Sequence, residues 1–235
     1  MNEYVNDAII LAAGKGSRMK KNDKSLIKPL IKVNGKILIG HIIEALISSG
    51  IENIHIISSV HENITSVIKS EYPNINFNFY YHNSDNTAIV ALKLVEEQIN
   101  KNFILADCDI ICDINALAQT ISENKKRLNE VDGLVACAIN PKFVNNHYLK
   151  IDNTRIIGFD KNGDSKNLHG GFIYIFNDMF YNYLNQNTLV QDMAVILDGY
   201  FKNYNVSTMF IDDIWDIDEE AEIADSEKLL NSPHN

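Results

Sequence analysis

The sequence predicts an α/β protein: one doubly wound, mostly parallel sheet, folded as a single domain with a small cap. Three observations carry that prediction. Apolar strand-like runs alternate with amphipathic helix-like segments through the first half of the chain. The first run closes on a glycine turn, "AAGKG" at 12–16, and the fourth breaks into acids, "ADCD" at 106–109. In open α/β sheets the carboxyl ends of the strands form the ligand rim, so the glycines and the acids should share one edge.

The elements follow in order. "DAIILAA" (7–13) is a continuous apolar run, as expected of a strand buried on both faces. "KILIGHIIEALISSG" (36–50) puts Ile39, Ile42, Ile43, Leu46 and Ile47 on one helical stripe and ends at Gly50, a good C-terminal stop. "NIHIISS" (53–59) reads as a strand, "ENITSVIKSEY" (62–72) as a helix and "INFNFYYH" (75–82) as a strand. "TAIVALKLVEEQI" (87–99) is a helix and "NFILADCD" (102–109) the fourth strand. The second half begins with a hairpin turning at Asn153 (148–159) and a strand "GGFIYIF" (170–176). Helices at 178–186 and 191–203, a strand at 206–211, the segment "IWDID" (214–218) and a helix at 219–230 complete it. No repeat or Pro/Gly/Ser-rich linker divides the chain. A closing helix and tail are expected at 219–235.

At 235 residues, with 46% hydrophobic and 22% charged residues, the composition is that of an ordinary globular domain. A formal net charge of −10 argues against nucleic acid as a partner, because a polyanion would be repelled over most of the surface. Yet Lys15, Lys20, Lys21, Lys24, Lys28, Lys32 and Lys36 crowd into the first 36 residues, the pattern of a local anion pocket. Cys108, Cys112 and Cys137 lack disulfide or zinc-ligand spacing and read as small buried side chains. The N-terminus has no apolar signal core, and no apolar run approaches a membrane span. A cytoplasmic protein, without membrane partner and either monomeric or homodimeric, is the expectation.

The glycine turn admits three phosphate-binding readings, and spacing separates them. A P-loop needs Gly, four residues, then Gly-Lys-Ser/Thr; here Gly16 follows Lys15, and Ile9 stands five residues before Gly14. The dinucleotide fingerprint needs a third glycine at position 19, which is methionine. The third reading rests on a resemblance. "LAAGKGSRM", then "KPL", then "VNGKILIGHIIEAL" resembles the opening of the nucleotidyltransferase superfamily, which joins nucleoside triphosphates to phosphorylated small molecules. "FILADCD", "GGFIYIF" and "WDIDEEAEIADSEKLL" extend the similarity more loosely over nearly the whole chain.

The resemblance implies a Rossmann-like fold and an attack by an acceptor phosphate on the α-phosphorus, with pyrophosphate leaving. Two anions must meet, so charge neutralisation and positioning dominate the chemistry. The resemblance makes residues 1–140 mainly the nucleotide-binding half and 141–218 mainly the acceptor-binding half. Main-chain N–H groups of the turn Gly14, Lys15, Gly16 and Ser17 would wrap phosphate, and the base would rest against the main chain of Leu11, Ala12 and Ala13. Arg18 would neutralise the leaving pyrophosphate, and Lys28 would stand between the α-phosphate and the attacking group. Asp107, with Asp216 and Asp218 of the "DID" turn, is implied to hold Mg²⁺; Asp109 and Asp113 are read as structural or supporting acids. Asn86, Thr87 and Ala88 stand where the family has a Gly-Thr-Ala base-binding element, here without its glycine. Tyr148, Lys161, Gly171 and Asp192 are acceptor candidates by location, as are Lys150 and Lys166.

The "DIDEE" turn is closer to cytidylyltransferases acting on phosphocholine, inositol phosphate or similar phospho-alcohols than to the Asp-x-Gly-Thr-Pro of sugar-1-phosphate enzymes. CTP and a small phosphorylated metabolite are therefore expected. A sugar-1-phosphate transferase making an NDP-sugar for surface polysaccharide is the alternative. A non-catalytic nucleotide or sugar-phosphate sensor is a third, disfavoured because Arg18, Lys28, Asp107 and Asp216 are all present.

Overall fold

The computed structural model describes residues 5–14, 16, 18–19, 26–59, 64–82, 88–138, 148–160, 168–212 and 214–230. Strand β1 (Asp7–Ala12) is followed by a 3-10 turn (Lys28–Leu30) and the small hairpin β2 (Lys32–Val33) and β3 (Lys36–Ile37). Asn34 and Gly35 form its two-residue turn, both at positive φ (50° and 79°), as the Asn-Gly pair favours. Then come α1 (Leu38–Ser48), β4 (Asn53–Ser59), α2 (Ile64–Glu71), β5 (Phe77–His82), α3 (Ala88–Lys93) and β6 (Phe103–Asp107). The chain continues through β7 (Ile110–Ile111), α4 (Ile114–Asn124), β8 (Gly133–Ala138), β9 (Tyr148–Asp152), β10 (Arg155–Asp160) and β11 (Leu168–Phe176). It closes with α5 (Met179–Gln186), α6 (Met193–Asn203), β12 (Val206–Ile211), β13 (Trp215–Asp216) and α7 (Glu220–Leu230).

Among the described residues, nine strands form one mixed sheet in the order β5-β4-β1-β6-β11-β8-β12-β10-β9. Its first four strands in space are parallel, in the register Ala12↔Ser58 and Leu11↔Asp107, so their carboxyl ends share an edge as the sequence predicts. From β11 onward antiparallel pairs enter. Because β9 also pairs with β11, the strands β8-β12-β10-β9-β11 close into a ring.

The alternation of β1 shows why both faces are covered. Ala8, Ile10 and Ala12 join a core with Ile39, Ile42, Ile43 and Leu46 of α1, Ile68 of α2 and Leu117 and Ile121 of α4. Ile9 faces the opposite core, with Ile89 and Leu92 of α3, Phe180 of α5, and Tyr200 and Phe201 of α6. This is the doubly wound arrangement. The cysteines are free and buried, and no helix among the described residues is long and apolar enough to cross a membrane.

A third, smaller core bears most on the site. Met19, Val33, Leu38, Ile111, Trp215 and Ile217 are buried together, with Leu26, Ile31, Ile223 and Leu230 against them. It joins the segment following the glycine loop to the β7–β13 ribbon and α7.

Candidate active site

Strand β1 delivers the loop at the rim. Leu11 and Ala13 are half-buried and Ala12 buried; Gly14 is exposed, and Gly16 lies at φ 56°. Lys15 and Ser17 lie outside the described residues. Lys28 opens its 3-10 turn before Pro29, whose missing N–H costs nothing at a helix start, and is only 7% exposed.

The acids come from two distant segments. β7 and β13 pair antiparallel, Ile110 opposite Asp216 and Ile111 opposite Trp215, and Ile217 N–H donates to the Asp109 carbonyl at 3.0 Å. This ribbon sets Asp109 beside the "DID" turn. The Glu222 carboxylate accepts from the N–H groups of Asp218 (2.7 Å) and Glu219 (2.8 Å), fixing the turn at the start of α7. One carboxylate oxygen from each of Asp109, Asp216 and Asp218 lies within 4.8 Å of the others. Against the structural or supporting role that the sequence suggests for Asp109, the ribbon places it in the trio, against Lys28. Asp113 does have the structural place expected, capping α4 by accepting from Ala116 N–H at 2.8 Å.

The basic arm meets this trio directly. Lys28 Nζ donates to Asp109 Oδ2 at 2.6 Å and Asp218 Oδ1 at 3.1 Å, while Arg18 donates to Asp218 Oδ2. Burial lowers the affinity of Lys28 for its proton, but Asp109, Asp216 and Asp218 outweigh it and hold the ammonium firmly charged. Burial, then Asp109, pushes Asp216 up to about 8, with Lys28 opposing. Burial and the Asp109 and Asp216 carboxylates likewise raise Asp107 well above the usual carboxylate range. Asp107 thus borders the trio electrostatically without supplying one of its clustered oxygens.

Residues 7–216, most of the chain, match the family described as Nucleotidyl transferase. The chain belongs to that family. Among its relatives, the 2-aminoethylphosphonate cytidylyltransferase of Lancefieldella rimae is 31% identical over 100 residues, 41% of each chain. The mannose-1-phosphate guanyltransferase of Hypocrea jecorina is 32% identical over 111 residues, 45% of this chain and 30% of that one. The matched stretches thus span less than half of either relative's length. The structure of the inositol-1-phosphate CTP transferase from T. maritima superposes with a TM-score of 0.80 at 14% identity, covering 100% of both chains. That likeness shows the fold.

In this nucleotidyltransferase-family chain the remaining candidates are spread out. Ala88 begins α3, half-buried; Asn86, Thr87, Lys161 and Lys166 lie outside the described residues. Gly171, at φ 102°, sits in an irregularity of β11, and its carbonyl accepts from the buried Tyr174 hydroxyl. The register Ile173↔Ala106 carries it to the rim alongside the end of β6. Tyr148 starts β9, opposite His169 and Asp160. Asp192 caps α6, accepting from Ala194 N–H at 2.8 Å. Lys150 lines an open pocket of about 490 Å³ with Gly158, Asp160, Asp198 and Lys202.

Proposed function

We propose that this chain transfers a nucleotidyl group from a nucleoside triphosphate, CTP foremost, to the phosphate of a small metabolite. An acceptor oxygen attacks the α-phosphorus, the bond from that phosphorus to the bridging oxygen breaks, and pyrophosphate leaves. The observation that carries this reading is the contact of Lys28 with the Asp109–Asp218 acids on the edge that bears the glycine loop. It collects in one place the groups that a reaction between two anions requires.

Gly14 and Gly16, in the turn after β1, present main-chain N–H groups to the triphosphate, and the base rests against the main chain of Leu11, Ala12 and Ala13. Arg18 neutralises the departing pyrophosphate, and Lys28 bridges the α-phosphate and the incoming oxygen. The acids fit a hard divalent cation. Three carboxylate oxygens converge within 4.8 Å, and the buried Asp216 Oδ1 has no hydrogen-bond partner among the described residues. Asp109, Asp216 and Asp218 would hold Mg²⁺, with Asp107 beside them; when bound, the ion supplies further neutralisation of phosphate charge. Gly171, Tyr148 and Asp192 are assigned to the acceptor side.

The preference for CTP and a phospho-alcohol rests on the "DID" turn and on the cytidylyltransferase named among the relatives. The guanyltransferase relative supports a sugar 1-phosphate as the second reading. A pyrophosphate-release matrix separates them. CTP, UTP, GTP, dTTP and ATP are each tested with phosphocholine, inositol phosphate, 2-aminoethylphosphonate and sugar 1-phosphates. The expected result is Mg²⁺-dependent release needing both substrates, fastest with CTP. Lys28→Ala and Asp109→Asn should each lower turnover by about 10²–10⁴-fold. Near-normal turnover in either variant would overturn the assignment.

A further inference from the structure

We propose that the Lys28 ammonium and a divalent cation are alternative occupants of one carboxylate pocket, so that the metal enters as Lys28 leaves the acids for phosphate. This rests on the transferase reading above. Lys28 Nζ lies 2.6 Å from Asp109 and 3.1 Å from Asp218, two of the three acids whose oxygens cluster within 4.8 Å. A divalent ion held by those oxygens would sit at about 2.0–2.6 Å from them, in the space the ammonium fills. Two cations that close repel strongly where water is largely excluded, and the Lys28 side chain is only 9% exposed.

Arg18 completes the arrangement from outside. It engages the second oxygen of Asp218 while its own side chain is 59% exposed. Asp109 and Asp218 are therefore matched by Lys28 and Arg18, one cation for each acid. A triphosphate offers both cations a new counter-charge. Lys28 has a flexible four-carbon stem and can turn its ammonium toward phosphate without moving its backbone. Once it turns, the acids are free for metal. Nucleotide and metal then strengthen each other's binding, and by linkage each does so by the same factor.

The test uses Mn²⁺ as the probe, its free concentration read by electron paramagnetic resonance. Wild type, Lys28→Met, Asp109→Asn and the double variant are titrated with and without CTP. Lys28→Met should bind Mn²⁺ alone about tenfold or more tighter than wild type. CTP should tighten Mn²⁺ binding strongly in wild type and little in Lys28→Met. Equal affinities in wild type and Lys28→Met, with binding lost on Asp109→Asn, would overturn the exclusion and leave the metal pocket standing. Unchanged binding in Asp109→Asn would overturn the pocket itself, and with it the metal assignment of the transferase reading. Should Lys28→Met fail to fold, the ¹⁵Nζ resonance of Lys28 in wild type decides. It should shift on saturation with Mg²⁺; an unmoved resonance would overturn the proposal.

Discussion

Among the described residues, a methyl group added at Gly14 would meet no atom within 4 Å, and Gly14 is not held at positive φ. Gly170 differs, because a Cβ would collide with the Ala136 carbonyl of the neighbouring strand. The proposed transferase reading gives glycine at 14 a reason, the close approach of nucleotide to the backbone. Gly14→Ala should therefore leave the melting temperature unchanged and weaken nucleotide binding by about tenfold, as read by calorimetric titration with CTP. A large loss of melting temperature with unaltered affinity would assign Gly14 to the fold instead. The basic arm of this site was legible in the sequence because its spacing is local. Asp109 was not. "ADCD" offers two acids two positions apart, and only the pairing of Ile110 with Asp216 shows that Asp109 meets the "DID" turn.

That pairing makes the β7–β13 ribbon the element on which the site depends. Two-residue strands have no periodicity to detect, so sequence patterns do not reveal the ribbon. β8 and α4 also lack an assignment from the sequence, for different reasons. "GLVACA" is a short apolar run without alternation, whereas α4 does carry a legible helical stripe, Ile114, Leu117, Ala118 and Ile121, that went unassigned. The assigned elements α1 and β4 agree with expectation to within two residues. The ribbon is held by Trp215, the chain's single tryptophan, packed with Met19, Val33, Leu38, Ile111 and Ile217. Trp215→Ala should cost about 3–5 kcal/mol of stability by leaving a cavity there. It should also weaken Mn²⁺ binding, since the cavity loosens the segment bearing Asp216 and Asp218. Trp215→Phe, which keeps a ring in place, should recover most of both in urea unfolding and Mn²⁺ titration. Metal affinity unchanged in Trp215→Ala would detach the ribbon's packing from the site.

Across the whole molecule, the amino ends of the strands are tied by a network distinct from the active rim. Asp7 is 1% exposed and accepts from Asn53 Nδ2 (2.8 Å), Asn100 N–H (2.6 Å) and Asn100 Nδ2 (2.5 Å). His55 Nε2 stands 3.8 Å away, with its Nδ1 3.1 Å from the Tyr80 hydroxyl. Burial raises the Asp7 carboxyl, but the neighbouring His55 ring and the hydrogen bonds from Asn100 and Asn53 outweigh it and hold it below its ordinary 3.8. The folded state therefore binds this proton less readily than the unfolded chain. The stabilisation is full above the unfolded carboxylate range and is lost as pH falls through the folded value. Asp7→Asn should cost about 1–3 kcal/mol at pH 7, and the gap from wild type in urea midpoints should narrow below pH 4. A gap independent of pH would show that the charge of Asp7 is not what ties the strands.

The α/β alternation and the shared rim were legible in the sequence because both follow from local patterns. The ring closed by β9 and β11 was not, since it depends on contacts between strands whose order no local pattern encodes. The central claim joins both halves: the loop after β1 and the acids of the ribbon form one nucleotidyl-transfer site. Phosphorus-31 NMR of the protein with CTP, Mg²⁺ and the best acceptor tests it most directly. The account predicts a new diphosphate diester and pyrophosphate growing in equal amounts, both abolished by Asp109→Asn. Release of inorganic phosphate from CTP without a diester product would contradict it.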